Sequence, residues 1–374
     1  MNNYVINTGF REISQEEEWS YVELARRSTG GDAYSIKIEE NYSYVSCGYG
    51  GFRIFDIRNL SAPIQIAHIP QTANGYAHQF ILHDNIAFIG NGYGGIWIIN
   101  CANPEKPSII AEYDHDYSWD IQLNGNLAYA GNGHIIPQAS ITITNISEIT
   151  NPIHYSTIST DDDIVDIQRL DERLYAASST EGLLVYDITN KTDPLYLGKY
   201  VDPMHPDIYL VSFEVVGDYA FAVYYKYGLK ILNISDAINI TLVTEITNKN
   251  TDYFSIHVKN EIAYISDIND GILLVNVSNI INPKEIIQYT YENCGTNDIY
   301  EKDKILFIAD RNLGFLIFNT TQKIETTSTT LTTLSSSDFL STTTTTAPLP
   351  NMWVLLLFGI YWMIIRRKLK RGCN

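Results

Sequence analysis

A six-residue motif recurs through this chain at intervals of 42 to 46 residues. It consists of a glycine, four mostly apolar residues, and then aspartate or asparagine. Its copies are GFRIFD, GIWIIN, SITITN, GLLVYD, GLKILN, GILLVN and GFLIFN, which end at positions 56, 100, 145, 187, 233, 276 and 319. A regular period of this length indicates a repeat architecture in which each unit is one structural module.

Each unit contains the signals of several short strands. A second motif precedes the first, as in YSYVS (42–46) and IAFIG (86–90), and in five units a proline follows the last motif residue by seven positions. Runs of β-branched and aromatic residues alternate with Gly, Asn, Asp and Pro, without helical periodicity. Four strands in a unit of this length are typical of one propeller blade, so we predict an all-β, seven-bladed β-propeller of four-stranded blades.

The two ends of the repeat region are complementary. The seventh unit stops after Asn319 without an outer strand, whereas the segment WSYVELAR (19–26), ahead of the first unit, has the pattern of one. We predict that Tyr21 to Ala25 pairs with the strand ending at Asn319, because this closure removes two exposed sheet edges. The propeller then spans residues 19–320, after an N-terminal extension of residues 1–18.

The repeat resembles that of a known family. The glycine motif, the A-Y-[I/V] motif before it and the proline after it are similar to the LVIVD repeat, a propeller-forming repeat of bacterial and archaeal surface proteins. The resemblance covers residues 19–320 and implies an extracellular binding or display role without a defined ligand or catalytic motif. The third unit departs from the pattern with Ser140 in place of glycine and an inserted HIIP segment.

The C-terminal region has a different composition. Residues 321–350 are rich in Thr and Ser, which predicts an extended stalk that carries O-linked sugars if exported. Residues 351–366 are predicted to be a transmembrane helix, although their 14 uninterrupted apolar residues fall short of the ~20 of an ordinary span. The basic tail, residues 367–374, indicates a cytoplasmic C-terminus and an extracellular propeller. A sorting tail cleaved by an archaeosortase-like enzyme is an open alternative.

The N-terminus does not show the signal peptide that this topology requires. The segment MNNYVINTGFREISQEEEW has neither a basic nor an apolar region. The chain is therefore either an incomplete gene product or inserts tail-first, with the propeller in the cytoplasm. Eight N-x-S/T sequons favour export, but four of them, at Asn145, Asn233, Asn276 and Asn319, occupy turn positions of the repeat motif. The other four are at Asn41, Asn59, Asn190 and Asn239.

Charge and cysteine content exclude several classes of function. All five bases after residue 350 are uncompensated, so residues 1–350 contain 43 acids and 20 bases, a net charge of −23. Such a domain repels nucleic acids and anionic membranes. The cysteines, Cys47, Cys101, Cys294 and Cys373, are too irregularly spaced for a disulfide framework or zinc site, and we interpret them as isolated thiols.

A ring of polar residues is predicted at one mouth of the central channel. The residue 21 positions before the end of each motif, after allowance for the insertion, is polar and precedes an apolar residue that starts the inner strand. These residues are Ser35, Gln79, Asp120, Asp166, Ser212, Ser255 and Asp298. They either satisfy loop backbone groups and channel waters or bind a cation or polar ligand through the three carboxylates.

The loops on this face are rich in aromatic and acidic residues, which suits recognition of sugars or proteins. We predict ligand-binding roles for Asp120, Asp166, Asp298, Trp119, Tyr49, Tyr93 and Tyr225. Asp114, Asp116 and Asp120 are the candidate metal ligands, with calcium as the metal; no other cofactor is expected.

Two classes of function follow. The first is a membrane-anchored, non-enzymatic surface module that binds a glycan or protein partner. The second is a hydrolase or lyase acting on extracellular polysaccharide or peptide, since paired carboxylates near a channel can act as acid and base. Because the sequence lacks a nucleophile elbow or cofactor fingerprint, we favour the first class and assign no catalytic residue.

Overall fold

The computed structural model describes residues 17–324, except for 73–74, 114–116, 134–138 and 249–250. These residues form seven antiparallel four-stranded sheets, and the first strands of successive sheets contact one another around a ring. The predicted seven-bladed propeller is therefore confirmed. The predicted transmembrane segment and tail, and most of the stalk, lie outside the described residues. Within the described residues, no helix has the length and apolar character to span a membrane.

Strands are numbered along the chain, and each blade runs from the channel outward. Blade 1 contains β2 (Ser35–Glu39), β3 (Tyr42–Ser46), β4 (Phe52–Asp56) and β5 (Ile64–Ile69). Blade 2 contains β6 (Phe80–His83), β7 (Ile86–Gly90), β8 (Ile96–Asn100) and β9 (Ser108–Tyr113). Blade 3 contains β10 (Ser118–Asn124), β11 (Leu127–Asn132), β12 (Ala139–Asn145) and β13 (Ile153–Thr160). Blades 4 and 5 contain β14 (Ile164–Leu170), β15 (Arg173–Ser178), β16 (Gly182–Asp187) and β17 (Leu195–Tyr200); and β18 (Tyr209–Val216), β19 (Tyr219–Tyr225), β20 (Gly228–Asn233) and β21 (Thr241–Thr247). Blades 6 and 7 contain β22 (Tyr253–Lys259), β23 (Ile262–Asp267), β24 (Gly271–Asn276) and β25 (Lys284–Tyr289); and β26 (Thr296–Lys302), β27 (Ile305–Asp310), β28 (Gly314–Ile324) and, as the outermost strand, β1 (Glu17–Arg27).

The N-terminal strand closes the ring as predicted. In β1, Tyr21 pairs with Thr320, Val22 with Asn319 and Ala25 with Ile317. The paired region is longer than expected, because β1 begins at Glu17 and β28 continues to Ile324. The propeller therefore extends four residues into the segment predicted as stalk.

In every blade except the third, the glycine that starts the motif has a positive φ at the start of the third strand. Gly182 has a φ of 80° and Gly314 a φ of 92°, which glycine adopts without the strain of a side chain. A Cβ atom would overlap the carbonyl oxygen of Tyr200 at Gly182, and that of Arg27 at Gly314. Since Tyr200 ends the outer strand of blade 4, the equivalent position of Arg27 shows that β1 replaces the outer strand of blade 7.

Seven hydrophobic clusters hold the blades together, one between each pair of neighbours. In the cluster between blades 7 and 1, Ala25 of β1 packs with Phe315, Ile36 and Phe55. Each blade thus buries both of its faces against its neighbours, and no blade contains a core of its own.

Antiparallel pairing gives the ring two different faces. The loops that enter the inner strands and the loops that join the second and third strands form one face, which we call the mouth face. Backbone bridges from Gly48 to Ala77 and from Gly92 to Ser118 link these two kinds of loop between neighbouring blades. The turns joining the first and second strands, and those joining the third and fourth, form the opposite face, which we call the turn face.

Candidate functional site

The predicted polar ring lies where the inner strands begin, next to a repeated backbone irregularity. In five blades the pairing register shifts just before the ring residue, as between Ser118 and Asp120 or between Thr296 and Asp298. Such a bulge re-aims the neighbouring side chains. The residue within the shift, such as Trp119 or Phe254, is half-buried at the channel mouth.

The three ring carboxylates fasten neighbouring blades together. Asp120 Oδ2 accepts a hydrogen bond from the Ile167 amide of blade 4 at 3.0 Å. Asp166 Oδ2 accepts from the Phe213 amide of blade 5 at 3.0 Å, and Asp298 Oδ2 accepts from the Ile36 amide of blade 1, also at 3.0 Å.

The ring serines reinforce two of these junctions. The Ser212 hydroxyl donates to Asp166 at 2.7 Å and the Ser35 hydroxyl to Asp298 at 2.8 Å. Of the two interpretations of the ring, this geometry supports the first, in which the polar side chains satisfy backbone groups of the protein.

Asp120 and Asp166 form a buried acid pair. Burial and the negative charge of Asp166 raise the pKa of Asp120 well above its ordinary value. Burial also raises the pKa of Asp166, to about 6, against the opposing effect of hydrogen bonds from Ser212, the Phe213 amide and Asp120. Asp120 therefore keeps its proton longer and donates it to the Asp166 carboxylate, while the Lys37 ammonium lowers both pKa values from within the channel.

This pair should make stability depend on pH. Because both pKa values are raised in the folded state, the stabilisation is complete below the unfolded carboxyl pKa of about 4 and is lost as the pH rises through about 6. We expect Asp120→Asn, which cannot lose a proton, to reduce the difference in unfolding free energy between about pH 5 and pH 7.5 by about 1–3 kcal/mol. Urea denaturation at both pH values measures this difference.

Asp298→Asn is the matched control for that experiment. Asp298 makes the same junction between blades, but its nearest charged partner is Lys37 Nζ at 3.8 Å and not a second carboxylate. Its replacement should destabilise the protein by a similar amount at both pH values. An unaltered pH dependence in Asp120→Asn would contradict the shared proton.

A continuous aromatic cluster covers the mouth face of blades 1 to 3 and reaches blade 6. Its members are Tyr34, Tyr49, Tyr76, His78, Tyr93, Tyr117, Trp119 and Phe254. The rings of Tyr34 and Phe254, from blades that are not neighbours, lie 5.4 Å apart across the mouth. The rings of Tyr34 and His78 are 4.7 Å apart, and those of His78 and Trp119 are 4.3 Å apart. The cluster thus covers the mouth of the channel with a half-buried aromatic surface.

Two exposed tyrosines stand at the edge of this cluster in equivalent arrangements. Tyr49 is 80% exposed and packs against Tyr76 in a T-shaped arrangement, with ring centroids 4.7 Å apart and planes at 85°. Tyr93 is 50% exposed and meets Tyr117 in the same way, at 4.8 Å and 89°. The two pairs come from successive repeats, so the same aromatic arrangement occurs twice, side by side.

Polar and charged groups surround the aromatic cluster. The Tyr76 hydroxyl donates to exposed Asp32 at 3.0 Å. Arg311 donates to Asn297 Oδ1 at 2.7 Å and places its guanidinium 5.6 Å from the Phe254 ring. The site therefore combines aromatic ring surfaces with one carboxylate, that of Asp32, and one guanidinium, that of Arg311.

The remaining predicted ligand residue is apart from this cluster. Tyr225 ends β19 of blade 5 on the mouth face, where Lys226 Nζ lies 5.2 Å from its ring centroid. Burial, with a contribution from Asp252, raises its pKa to about 12. Of the seven predicted ligand residues, the structure groups Trp119, Tyr49 and Tyr93 and assigns the three aspartates to blade junctions.

Two of the three candidate metal ligands lie outside the residues that the structure describes. Asp114 and Asp116 lie outside the described residues, and Asp120 is engaged with the amides of Ile121 and Ile167. Among the described side chains, no group of three or more His, Cys, Asp or Glu has the geometry to hold a metal ion. Calcium binding at Asp114, Asp116 and Asp120 stays a prediction.

A second polar cluster on the mouth face was not foreseen. Lys230 in β20 is 1% exposed, and its ammonium contacts Asp202 Oδ2 at 2.9 Å, the Glu245 carboxylate, and the ring of Tyr227 at 4.3 Å. His205 Nδ1 lies 3.2 Å from Asp202 Oδ2. The signal in the sequence was a lysine inside the otherwise apolar motif GLKILN.

Several members of the aromatic cluster were also missed. Tyr76 and His78 precede the inner strand β6, and Tyr117 and Trp119 stand on either side of Ser118, the first residue of β10. This repeated spacing places both aromatic side chains of a pair on the same side of the backbone. The same spacing in the loops before successive inner strands is the sequence signal for these aromatic residues.

The LVIVD repeat family model matches residues 30–68, 172–202, 211–248 and 253–291. No curated protein sequence shows significant similarity to the chain. Among solved structures, the computationally designed Ika8 protein is similar, with a TM-score of 0.58 and 9% sequence identity over 79% of this chain and 98% of the designed one. At this identity the likeness concerns the fold alone.

Proposed function

Because the chain is an LVIVD-repeat protein folded as a seven-bladed β-propeller, we propose that it is a binding module displayed at the cell surface. The proposed ligand site is the aromatic cluster of the mouth face. The proposed ligand is a glycan or protein partner, and the geometry favours a glycan. Residues 321–350 would act as the stalk, with residues 351–366 as the membrane span and a cytoplasmic C-terminus.

The observation that carries the proposal is the repetition of an exposed tyrosine packed at nearly a right angle against a second tyrosine. Tyr49 and Tyr93 are 80% and 50% exposed, and each packs at nearly a right angle against a second tyrosine, Tyr76 or Tyr117. An accessible ring face packs against the C–H face of a sugar, and phenol hydroxyls and Asp32 can bind its hydroxyl groups. Two equivalent sites on neighbouring blades suit a ligand that itself consists of repeating units.

Electrostatics restrict the partner further. The net charge of −23 over residues 1–350 disfavours nucleic acid and strongly acidic polysaccharide, since both would be repelled at long range. Neutral glycans and neutral or basic proteins remain compatible with the site.

The enzymatic alternative, a hydrolase or lyase, receives less support from the geometry. Glycoside hydrolysis needs two carboxyl groups separated by space for a sugar and a water molecule. Asp120 and Asp166 instead bind each other and the backbone amides of the next blade. A reaction at this face would require carboxyl groups other than these two.

The proposal predicts which substitutions abolish binding. We expect Tyr49→Ala combined with Tyr93→Ala to weaken binding of the best ligand from a glycan and protein array by about 30-fold or more, because buried aromatic contacts at binding sites typically contribute about 2 kcal/mol. Isothermal titration calorimetry with the purified chain measures the loss.

Tyr155→Ala combined with Tyr196→Ala is the matched control. These tyrosines are similarly exposed, at 54% and 48%, but lie on the outer strands β13 and β17. Their loss should leave the affinity unchanged. Equal effects of the two double variants would place the ligand elsewhere, and an array response confined to proteins would change the ligand class.

A further inference from the structure

All eight N-x-S/T sequons lie on the turn face. Asn41 is in the turn between the first and second strands of blade 1, and Asn59, Asn190 and Asn239 are in turns between third and fourth strands. The other four are the last residues of the third strands or, for Asn319, the equivalent position within β28. The mouth face, with its aromatic cluster, carries none.

Five of the acceptor asparagines are exposed, namely Asn41, Asn59, Asn190, Asn239 and Asn276. Where their side chains make described hydrogen bonds, the oxygen is the atom engaged. Asn59 Oδ1 accepts from the Ser61 amide at 3.1 Å, and Asn190 Oδ1 from the Thr192 hydroxyl at 3.2 Å. Both residues are exposed, and the described hydrogen bonds leave the amide nitrogen Nδ2 unengaged, which is the atom that an attached sugar would need.

The turn at Asn59 does not explain the hydroxyl at the third position of its sequon. Asn103 makes the same turn with the amide of Glu105, Asp236 with that of Ile238, and Asn279 with that of Ile281. The turn requires only the side-chain oxygen and a backbone amide. Ser61 therefore supplies a hydroxyl that its turn does not use, whereas sequon recognition does need it. The Thr192 hydroxyl meets the same requirement of the sequon and also donates to Asn190 Oδ1.

We propose that the turn face is N-glycosylated, at Asn59, Asn190 and Asn239. The donor would be an oligosaccharide linked to a polyprenyl phosphate. Asn Nδ2 forms a bond to the anomeric carbon, the bond from that carbon to the donor phosphate oxygen breaks, the phosphate leaves with the electron pair, and the amide proton passes to solvent. This inference rests on the proposed display outside the cell, where such transfer takes place.

Glycans on one face would leave the ligand site free. Asn59, Asn190 and Asn239 belong to blades 1, 4 and 5, so their sugars would be distributed around the turn face. The mouth face would stay bare and available to a partner, and the hydrophilic shell would shield the exposed turn residues Ile238 and Ile281, each 74% exposed.

The test uses the full chain purified from the cells that make it. Glycopeptide mass spectrometry should find sugar on Asn59, Asn190 and Asn239. The triple variant Ser61→Ala, Thr192→Ala, Thr241→Ala retains the three asparagines, and its intact mass should fall by three glycans. Thr189→Ala is the control, because Thr189 likewise follows by two residues a side chain that accepts from its amide, but that side chain is Asp187, which cannot accept a sugar.

Protease treatment of intact cells separates this proposal from the one it rests on. A propeller that protease releases but whose three asparagines are bare would overturn the glycosylation and leave surface display standing. A propeller that is both protected and bare would overturn both. Loss of the same mass in Thr189→Ala would also count against the assignment.

Discussion

Removal of residues 1–27 should unfold the propeller and not merely shorten it. The deletion strips β28 of its outer partner along its whole length and opens the cluster between blades 7 and 1. Because each blade shares its core with its neighbours, loss at one junction weakens the whole ring. We expect the melting temperature of the full-length chain to fall by more than about 10 °C, or cooperative unfolding to disappear.

Matched variants separate strand closure from a general effect of truncation. Removal of residues 1–16, which precede β1, should leave the melting curve unchanged. Tyr21 stacks on Tyr289 at 4.7 Å, so Tyr21→Ala should cost about 2–4 kcal/mol. Val22 is 55% exposed, and Val22→Ala should cost less than about 1 kcal/mol. Superimposable melting curves for the two deletions would refute closure by β1.

Loss of the buried Lys230 charge should be the most damaging single substitution. Lys230→Met keeps much of the volume but leaves the carboxylates of Asp202 and Glu245 without their cation. Breaking a buried ion pair in this way typically costs about 3–5 kcal/mol, because a buried charge is left uncompensated. Urea denaturation near neutral pH measures the loss.

The pH dependence of this loss has a definite sign. Burial would raise the pKa of Asp202, but hydrogen bonds from Lys230 and the Met204 amide bring it below its ordinary value. The stabilisation from a lowered carboxyl pKa is present above the unfolded pKa and is lost as the pH falls through the folded one. The difference between wild type and Lys230→Met should therefore shrink as the pH is lowered below about 4.

Two further variants complete this experiment. Lys226→Ala is the control, since Lys226 is exposed, with its Nζ 3.9 Å from Asp252, and such a surface pair contributes less than about 1 kcal/mol. Combining Lys230→Met with Asp202→Asn and Glu245→Gln removes all three charges and should restore much of the stability. Equal losses in Lys226→Ala and Lys230→Met would show that the buried network is unimportant.

The position of the ring aspartates could be predicted from the aligned repeats, but their role could not. Alignment correctly placed Asp120, Asp166 and Asp298 at one structural position, where each makes the same junction with the next blade. It did not show whether these carboxylates bind a ligand or form hydrogen bonds between blades. The partner amides of Ile167, Phe213 and Ile36 are on other repeats, and only the three-dimensional arrangement identifies them.

The number of blades, the strand order and the closing strand were all readable from the chain. They depend on local patterns: alternation within short strands, turn residues, and a glycine whose positive φ recurs in each unit except the third. A repeated pattern of this kind has one compact solution, because each blade must cover its faces with its neighbours.

The aromatic cluster depended on ring closure, and the Lys230 network on the packing of blade 5 against its own entering loop. Tyr34 and Phe254 are 220 residues apart in the sequence and meet only because blades 1 and 6 both border the channel mouth. Asp202 reaches Lys230 from the loop that enters blade 5, the blade to which Lys230 belongs. These contacts join residues that are far apart in the sequence and that no local sequence pattern relates to each other. The tertiary structure, and not the repeat motif, therefore determines which side chains share a site.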